Sequence, residues 1–247
     1  MTTRTLALVG AAGGVGTTRL TVECAATLAR AGRDVVVVDA AFATQGMAAY
    51  LGQRVDGDAT ALATGAAQIG ETLHEESGHL PGRLAVCPAQ GPFEQLARAK
   101  THEAAERLGD QIAAASLGHD AVLVDVPPVA ANQAVAAVEA VQTVAVVTED
   151  TERGVRALAR QRERLADVDR PSDCAVANRA GDGFVDADLT VPESGVRAPR
   201  SCPVCADPPG EGAFAPAVAE TVETLLGVSL ELEFGGQGLL TRVVGTG

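Results

Sequence analysis

Short apolar runs alternate along this chain with stretches in which apolar residues recur every three to four positions. The runs Thr5–Val9, Asp34–Val38, Leu84–Cys87, Ala121–Val124, Thr143–Thr148 and Cys174–Ala177 are rich in Val, Leu and Ala, as in strands buried on both faces. Helical spacing fills residues 18–31, 93–117, 130–140 and 151–168, and a last helix is predicted over Ala215–Leu226. This order predicts an α/β fold, a doubly wound and mostly parallel sheet with helices on both faces. Right-handed crossovers then bring Val9, Val38 and Val124 to one edge of the sheet, where such folds bind ligands. Residues 52–80 read as a short helix plus loop over that edge, and residues 179–212 as loop with one short strand near Leu189–Val191. Residues 1–234 are expected to form one domain, and residues 235–247 a Gly-rich tail.

Composition sharpens the picture. Hydrophobic residues make up 47% of the 247 but aromatics only 2%, so the core must be built from small aliphatic side chains. The chain has 32 acidic residues against 19 basic ones, a net charge of −13, and Lys100 is its single lysine. That balance resembles proteins of extreme halophiles, and it makes nonspecific DNA binding a poor expectation. No apolar stretch reaches the length of a membrane span, and the N-terminus lacks the pattern of a signal peptide, so a cytoplasmic protein is expected.

The chemistry centres on "VGAAGGVGTTRLT", residues 9–21. Gly13, Gly14 and Gly16 follow a predicted strand and precede a predicted helix. Glycines there let backbone N–H groups converge on an anion at the positive end of the helix. One reading is a P-loop with the Thr18 hydroxyl as an Mg²⁺ ligand. The other is a dinucleotide site, because Gly10, Gly14 and Gly16 have short-chain dehydrogenase spacing and Asp39 could hold a ribose. The catalytic Tyr and Lys of that enzyme family cannot be supplied by Tyr50 and Lys100, which leaves a plain NAD-type binding module as the alternative. Two further strand ends favour the P-loop. Asp125 closes "HDAVLVDVPP" and can hold a metal-bound water, and Asn178 closes "CAVAN" with an amide that can both donate to and accept from a purine.

From these residues the chain resembles the MinD/ParA group of P-loop ATPases. The resemblance runs through "GGVGTT" (13–18), "VVVVDAAFATQGMAAYLG" (35–52), "LAVCPAQGP" (84–92), "DAVLVDVPP" (120–128), "VAVVTEDTERGVRAL" (144–158), "AVANR" (175–179) and "TVPES" (190–194). It implies an adenine nucleotide, ATP or ADP with Mg²⁺, held by Gly13, Gly14, Val15, Gly16, Thr17 and Thr18. Asn178, Arg179 and Pro192 would lie at the base end. Thr18 would bind the metal, with Asp39 and Asp125 acting through water. Members of the group carry two lysines in the loop and a second Asp after the second strand. Here those positions are Ala12, Thr17 and Ala41. The resemblance therefore implies a degenerate member in which efficient hydrolysis is not expected, because phosphoryl transfer depends on positioning and on neutralising charge. It also implies a switch or scaffold for positioning a division apparatus, a surface appendage or a chromosome locus, acting on an unidentified protein cargo, with a homodimer as one form.

Other candidates are weaker. Arg19 is expected to point to solvent rather than replace a lysine. Cys202 and Cys205 have metal-ligand spacing but offer only two ligands, so a bridging zinc or iron–sulfur cluster is not the expected reading. His74, His79, His102 and His119 read as surface residues. Helix 152–170 carries Arg153, Arg156, Arg160, Arg162, Arg164 and Arg170 among acids, with Val155, Leu158 and Leu165 on an apolar face. A solvated helix with i,i+4 ion pairs is expected there, and a docking face for an acidic partner or nucleic acid is the alternative. In the tail, Leu239, Leu240, Val243 and Val244 resemble a short amphipathic membrane anchor, one that would give weak, peripheral contact with the inner face of the membrane.

Overall fold

In a computed structural model of the chain, residues 3–51, 55–75, 80–181, 183–208 and 212–234 are described. The strands are β1 (Arg4–Gly10), β2 (Asp34–Asp39), β3 (His74–Glu75), β4 (Arg83–Cys87), β5 (Ala121–Val126), β6 (Thr143–Glu149), β7 (Cys174–Ala180) and β8 (Leu189–Pro192). The helices are α1 (Thr17–Arg30), α2 (Ala59–Thr64), α3 (Phe93–Ala99), α4 (His102–Ala115), α5 (Asn132–Glu139), α6 (Glu152–Asp167) and α7 (Phe214–Leu226). They form an α/β fold around a sheet of order β3-β4-β2-β5-β1-β6-β7-β8, parallel except for the β3–β4 pair. From β1 the chain crosses over β5 to reach β2, and β6 later adds to the other side of β1. The ends of β1, β2 and β5 therefore flank the point where the winding reverses, which is where ligands bind in open sheets.

Each face of the sheet has its own apolar layer. Ala7, Val36, Val122 and Val146 point to the side covered by α2 to α6, and Leu6, Val35, Leu123 and Ala145 to the side covered by α1 and α7. Buried Val, Ala and Leu thus alternate sides along strands that read in sequence as continuous apolar runs.

The structure departs from the sequence reading in four places. The helix expected over 93–117 is two, because Thr101 caps a new one, its hydroxyl accepting from the Ala104 N–H at 3.3 Å. β3, only two residues long, pairs antiparallel on the edge of β4, inside the segment expected to be helix and loop. Val155 is 43% exposed; the buried face of α6 is Gly154, Ala157, Leu158, Gln161 and Leu165. Among the described residues no arginine of α6 pairs with an acid of the same helix. Arg162 lies 3.9 Å from Asp188, and Arg164 donates to the Val129 carbonyl. No described helix is long and apolar enough to cross a membrane.

Candidate nucleotide site

The loop between β1 and α1 forms the floor of a cleft of about 690 Å³. Gly14 and Gly16 have φ values of 84° and 86°, in the left-handed region that glycine reaches without a Cβ penalty. At Gly16 space as well as torsion forbids a side chain, since an added Cβ would stand 2.5 Å from Asn178 Nδ2. Gly16 occupies the N-cap position of α1 and offers no capping side chain, so the first turn's N–H groups remain open toward the cleft. Gly13, Val15, Thr17, Thr18, Asp125, Asn178 and Arg179 all line this cleft.

Behind the loop, Asp39 and Asp125 are partners in register on β2 and β5. Both are buried, at 0% and 1% exposure. Thr18 Oγ1 donates to Asp125 Oδ2 at 2.6 Å. Asp39 accepts from the Ala41 N–H at 2.7 Å and the Ala89 N–H at 3.1 Å. Burial pushes the Asp39 carboxyl up to about 6 despite those bonds, and holds Asp125 well above the usual carboxylate range, with Asp39 as the next contributor. Two buried carboxylates that pair with no cation among the described residues, next to a hydroxyl, suit a hard divalent ion with oxygen ligands, so these residues fit Mg²⁺.

The remaining residues depart from expectation in instructive ways. Asn178 Nδ2 donates to the Val15 carbonyl at 2.8 Å, so the amide props the loop from β7. Pro192 pairs with Ala180 at the sheet edge and is not part of the cleft lining, which instead takes Glu193 and Ser194 from the same segment. Arg19 does not point to solvent. Its Nε meets Glu23 Oε1 at 2.6 Å, Nη1 donates to the Val196 carbonyl at 2.9 Å and Nη2 to Ser194 Oγ at 3.1 Å. Its guanidinium also lies 5.6 Å from the ring centre of Phe214.

Glu23, fully buried, is the residue the sequence reading missed. It accepts from the backbone N–H groups of Val204 and Cys205 at 3.1 and 2.8 Å. A lone acid four residues after an arginine, in a helix otherwise facing Ala and Cys, was the available signal. Asp150, also missed, accepts from the N–H groups of Gly181, Gly183 and Val185 and so shapes the loop that leaves β7.

All five cysteines are buried and free. Burial and neighbouring Glu23 push the Cys205 thiol far up. Among the described residues no three His, Cys, Asp or Glu side chains are grouped to hold a metal ion. His74 is half-buried, with Nε2 2.7 Å from the Gly57 carbonyl, and His119 is likewise tied to the Ala115 carbonyl at 2.8 Å. His102 is exposed beside Glu106. His79 and the tail positions Leu239, Leu240, Val243 and Val244 lie outside the described residues.

The loop, the carboxylate pair and the arginine-bearing helix α6 all lie within residues 3–168, which match a family model described as cellulose biosynthesis protein BcsQ. The chain belongs to this family. BcsQ proteins are of the MinD/ParA P-loop kind, and the solved structures agree in fold. The cell division ATPase MinD of Pyrococcus furiosus matches with a TM-score of 0.77 at 20% identity, over 90% of this chain and 98% of that one. The septum site-determining protein MinD of Pyrococcus horikoshii, complexed with Mg-ADP, gives 0.76 at 19% identity, over 90% and 95%. A ParA family ATPase of Chlorobium tepidum gives 0.72 at 16% identity, over 89% and 98%. No curated protein matches the chain. The BcsQ match stops short of Asn178 and Arg179.

Proposed function

We propose that this BcsQ-family chain binds Mg-ATP or Mg-ADP and turns ATP over at or near background, acting as a switch or scaffold in subcellular positioning. The observation that carries the reading is a phosphate-shaped loop without its charges. Gly14 and Gly16 hold the left-handed turns and Thr18 and Asp125 stand where a metal would sit, while Ala12, Thr17 and Ala41 line the same cleft with no charge at all. Backbone N–H groups and a metal supply part of the affinity for a phosphate. Stabilising the charge that develops during transfer falls to fixed cations and a water-orienting group.

Asp39 weighs against the NAD-type reading. It is fully buried beneath the loop and is not part of the cleft lining, so a ribose lying in the cleft would not reach it. The positioning role draws support from the septum site-determining and cell division proteins that share the fold. A metal or iron–sulfur role draws little support from Cys202 and Cys205, because both thiols face inward.

The test is ATP turnover with Mg²⁺ beside a nucleotide-binding titration. Binding without turnover above background is the expected result. Thr17→Lys should then tighten nucleotide binding, because it returns a cation to the loop. Turnover at the rates of an ordinary ATPase would overturn the proposal, and so would a parent chain that binds neither nucleotide.

A further inference from the structure

Among the described residues the cations lining the cleft are Arg19, Arg179 and Arg197. Arg19 has all three guanidinium nitrogens engaged, on Glu23, Val196 and Ser194. Arg197 is 83% exposed and paired with Glu193. Arg179 is different. It sits where the β7–β8 register slips between Asn178 and Ala180, and its φ is 56°, the left-handed region that a non-glycine residue occupies at a cost of about 1 kcal/mol. From there its Nη1 donates to the Gly14 carbonyl at 3.3 Å, and its Nη2 lies 3.6 Å from the point where a Cβ on Gly16 would stand. The guanidinium thus rests against the two left-handed turns of the loop. Glu149, at the end of β6, holds its charge in an ion pair that is about half exposed on the arginine side and a third on the other.

We propose that Arg179 is the phosphate-holding cation of this cleft, and that a nucleoside di- or triphosphate takes it over from Glu149. The inference rests on the reading of the cleft as a nucleotide site. A guanidinium fork matches two phosphate oxygens, which a lysine from the loop would meet with a single point charge. A half-exposed ion pair contributes little, and Glu149 is open enough to return to water when it is released. The exchange therefore gives up a weak pair and gains a stronger one with a more highly charged partner. It also puts charge back into the loop from a strand remote in sequence, where the motif itself has none. Recognition would fall on the phosphates and leave the nucleoside indifferent.

The two residues then act with opposite sign. In calorimetric titrations of the full chain at fixed ionic strength, Arg179→Ala should weaken Mg-ADP and Mg-ATP by about tenfold or more, and Arg179→Lys should recover part of that loss. Glu149→Gln should tighten both nucleotides about two- to fivefold, since the competitor for the guanidinium is removed. Adenosine, measured by competition, should be unaffected by any of the three. Thermal unfolding without ligand confirms that each variant is folded. An Arg179→Ala chain that binds Mg-ADP as the parent does would overturn the proposal and leave the nucleotide reading standing. A Glu149→Gln chain that binds more weakly than the parent would overturn the exchange. A parent that binds no nucleotide would overturn both readings together.

Discussion

Asp39 and Asp125 lie side by side at the ends of β2 and β5, and their buried charges set a pH dependence that the metal should invert. The folded-state pKa of Asp39 is raised to about 6 from an ordinary 3.8. Between those values the folded chain holds more protons than the unfolded one, so without metal this group's contribution to stability falls as pH rises through that window. The cost is on the order of 1–3 kcal/mol by pH 7. In EDTA, the stability of the parent relative to Asp39→Asn should therefore decline from pH 4 to pH 7, as measured by urea unfolding. Parallel profiles would show that Asp39 does not titrate in this range. With Mg²⁺ and nucleotide the effect should reverse, stabilisation growing toward pH 7.5, because the ion needs both carboxylates ionised. Individual residues were legible here when they closed a strand. Asp39, Asp125 and Asn178 each end an apolar run, and a polar group at that place faces the binding edge. Arg179 was named as part of the site, but its grip on Glu149 and Gly14 was not readable, because it depends on a register slip at a sheet edge that leaves no periodic trace.

At the scale of elements, α1 is more than the start of the loop. Arg19 and Glu23, one turn apart on it, fasten the segment 194–205 against the helix. Removing one partner of a buried pair leaves the other uncompensated, at a cost of about 3–5 kcal/mol, whereas removing both can be nearly neutral. Arg19→Met should therefore destabilise the chain by several kcal/mol, and Arg19→Met with Glu23→Gln should recover a large part of that loss. If the losses of the single variants simply add in the double, the two side chains do not act as a pair. The strands themselves were plain in the sequence, since parallel strands buried on both faces read as uninterrupted Val, Leu and Ala. What was lost was punctuation. Helical spacing continues through residues 93–117, and only the Thr101 hydroxyl, accepting from Ala104, divides it. Helix α6 shows the limit of charge patterning, because an arginine's sequence neighbours name candidate partners, while the fold gave Arg162 to Asp188 on another segment.

For the whole molecule the surplus of acid is the dominant fact. At a net charge of −13 the folded chain repels itself, and molar salt shortens the screening length to about 3 Å. The melting temperature should rise steadily from dilute buffer to molar KCl. A flat profile would show that repulsion among the acids does not limit the stability of the fold.

Helix α1 also sets a geometry between the two ends of the molecule. It begins at the cleft and runs 14 residues, about 21 Å, to Arg30, whose guanidinium covers the ring of Phe234 at 4.6 Å. The carbonyl of Ala29 accepts from Gly82 just before β4 starts, so this far end lies at the opposite rim of the sheet. Phe234 is thus held at the pole away from the cleft, and α1 runs from the cleft to it. A tilt of about 3° at the loop would carry the Arg30 end sideways by about 1 Å. A shift of α1 at the loop would thus reach the Arg30–Phe234 contact as a sideways displacement of that size.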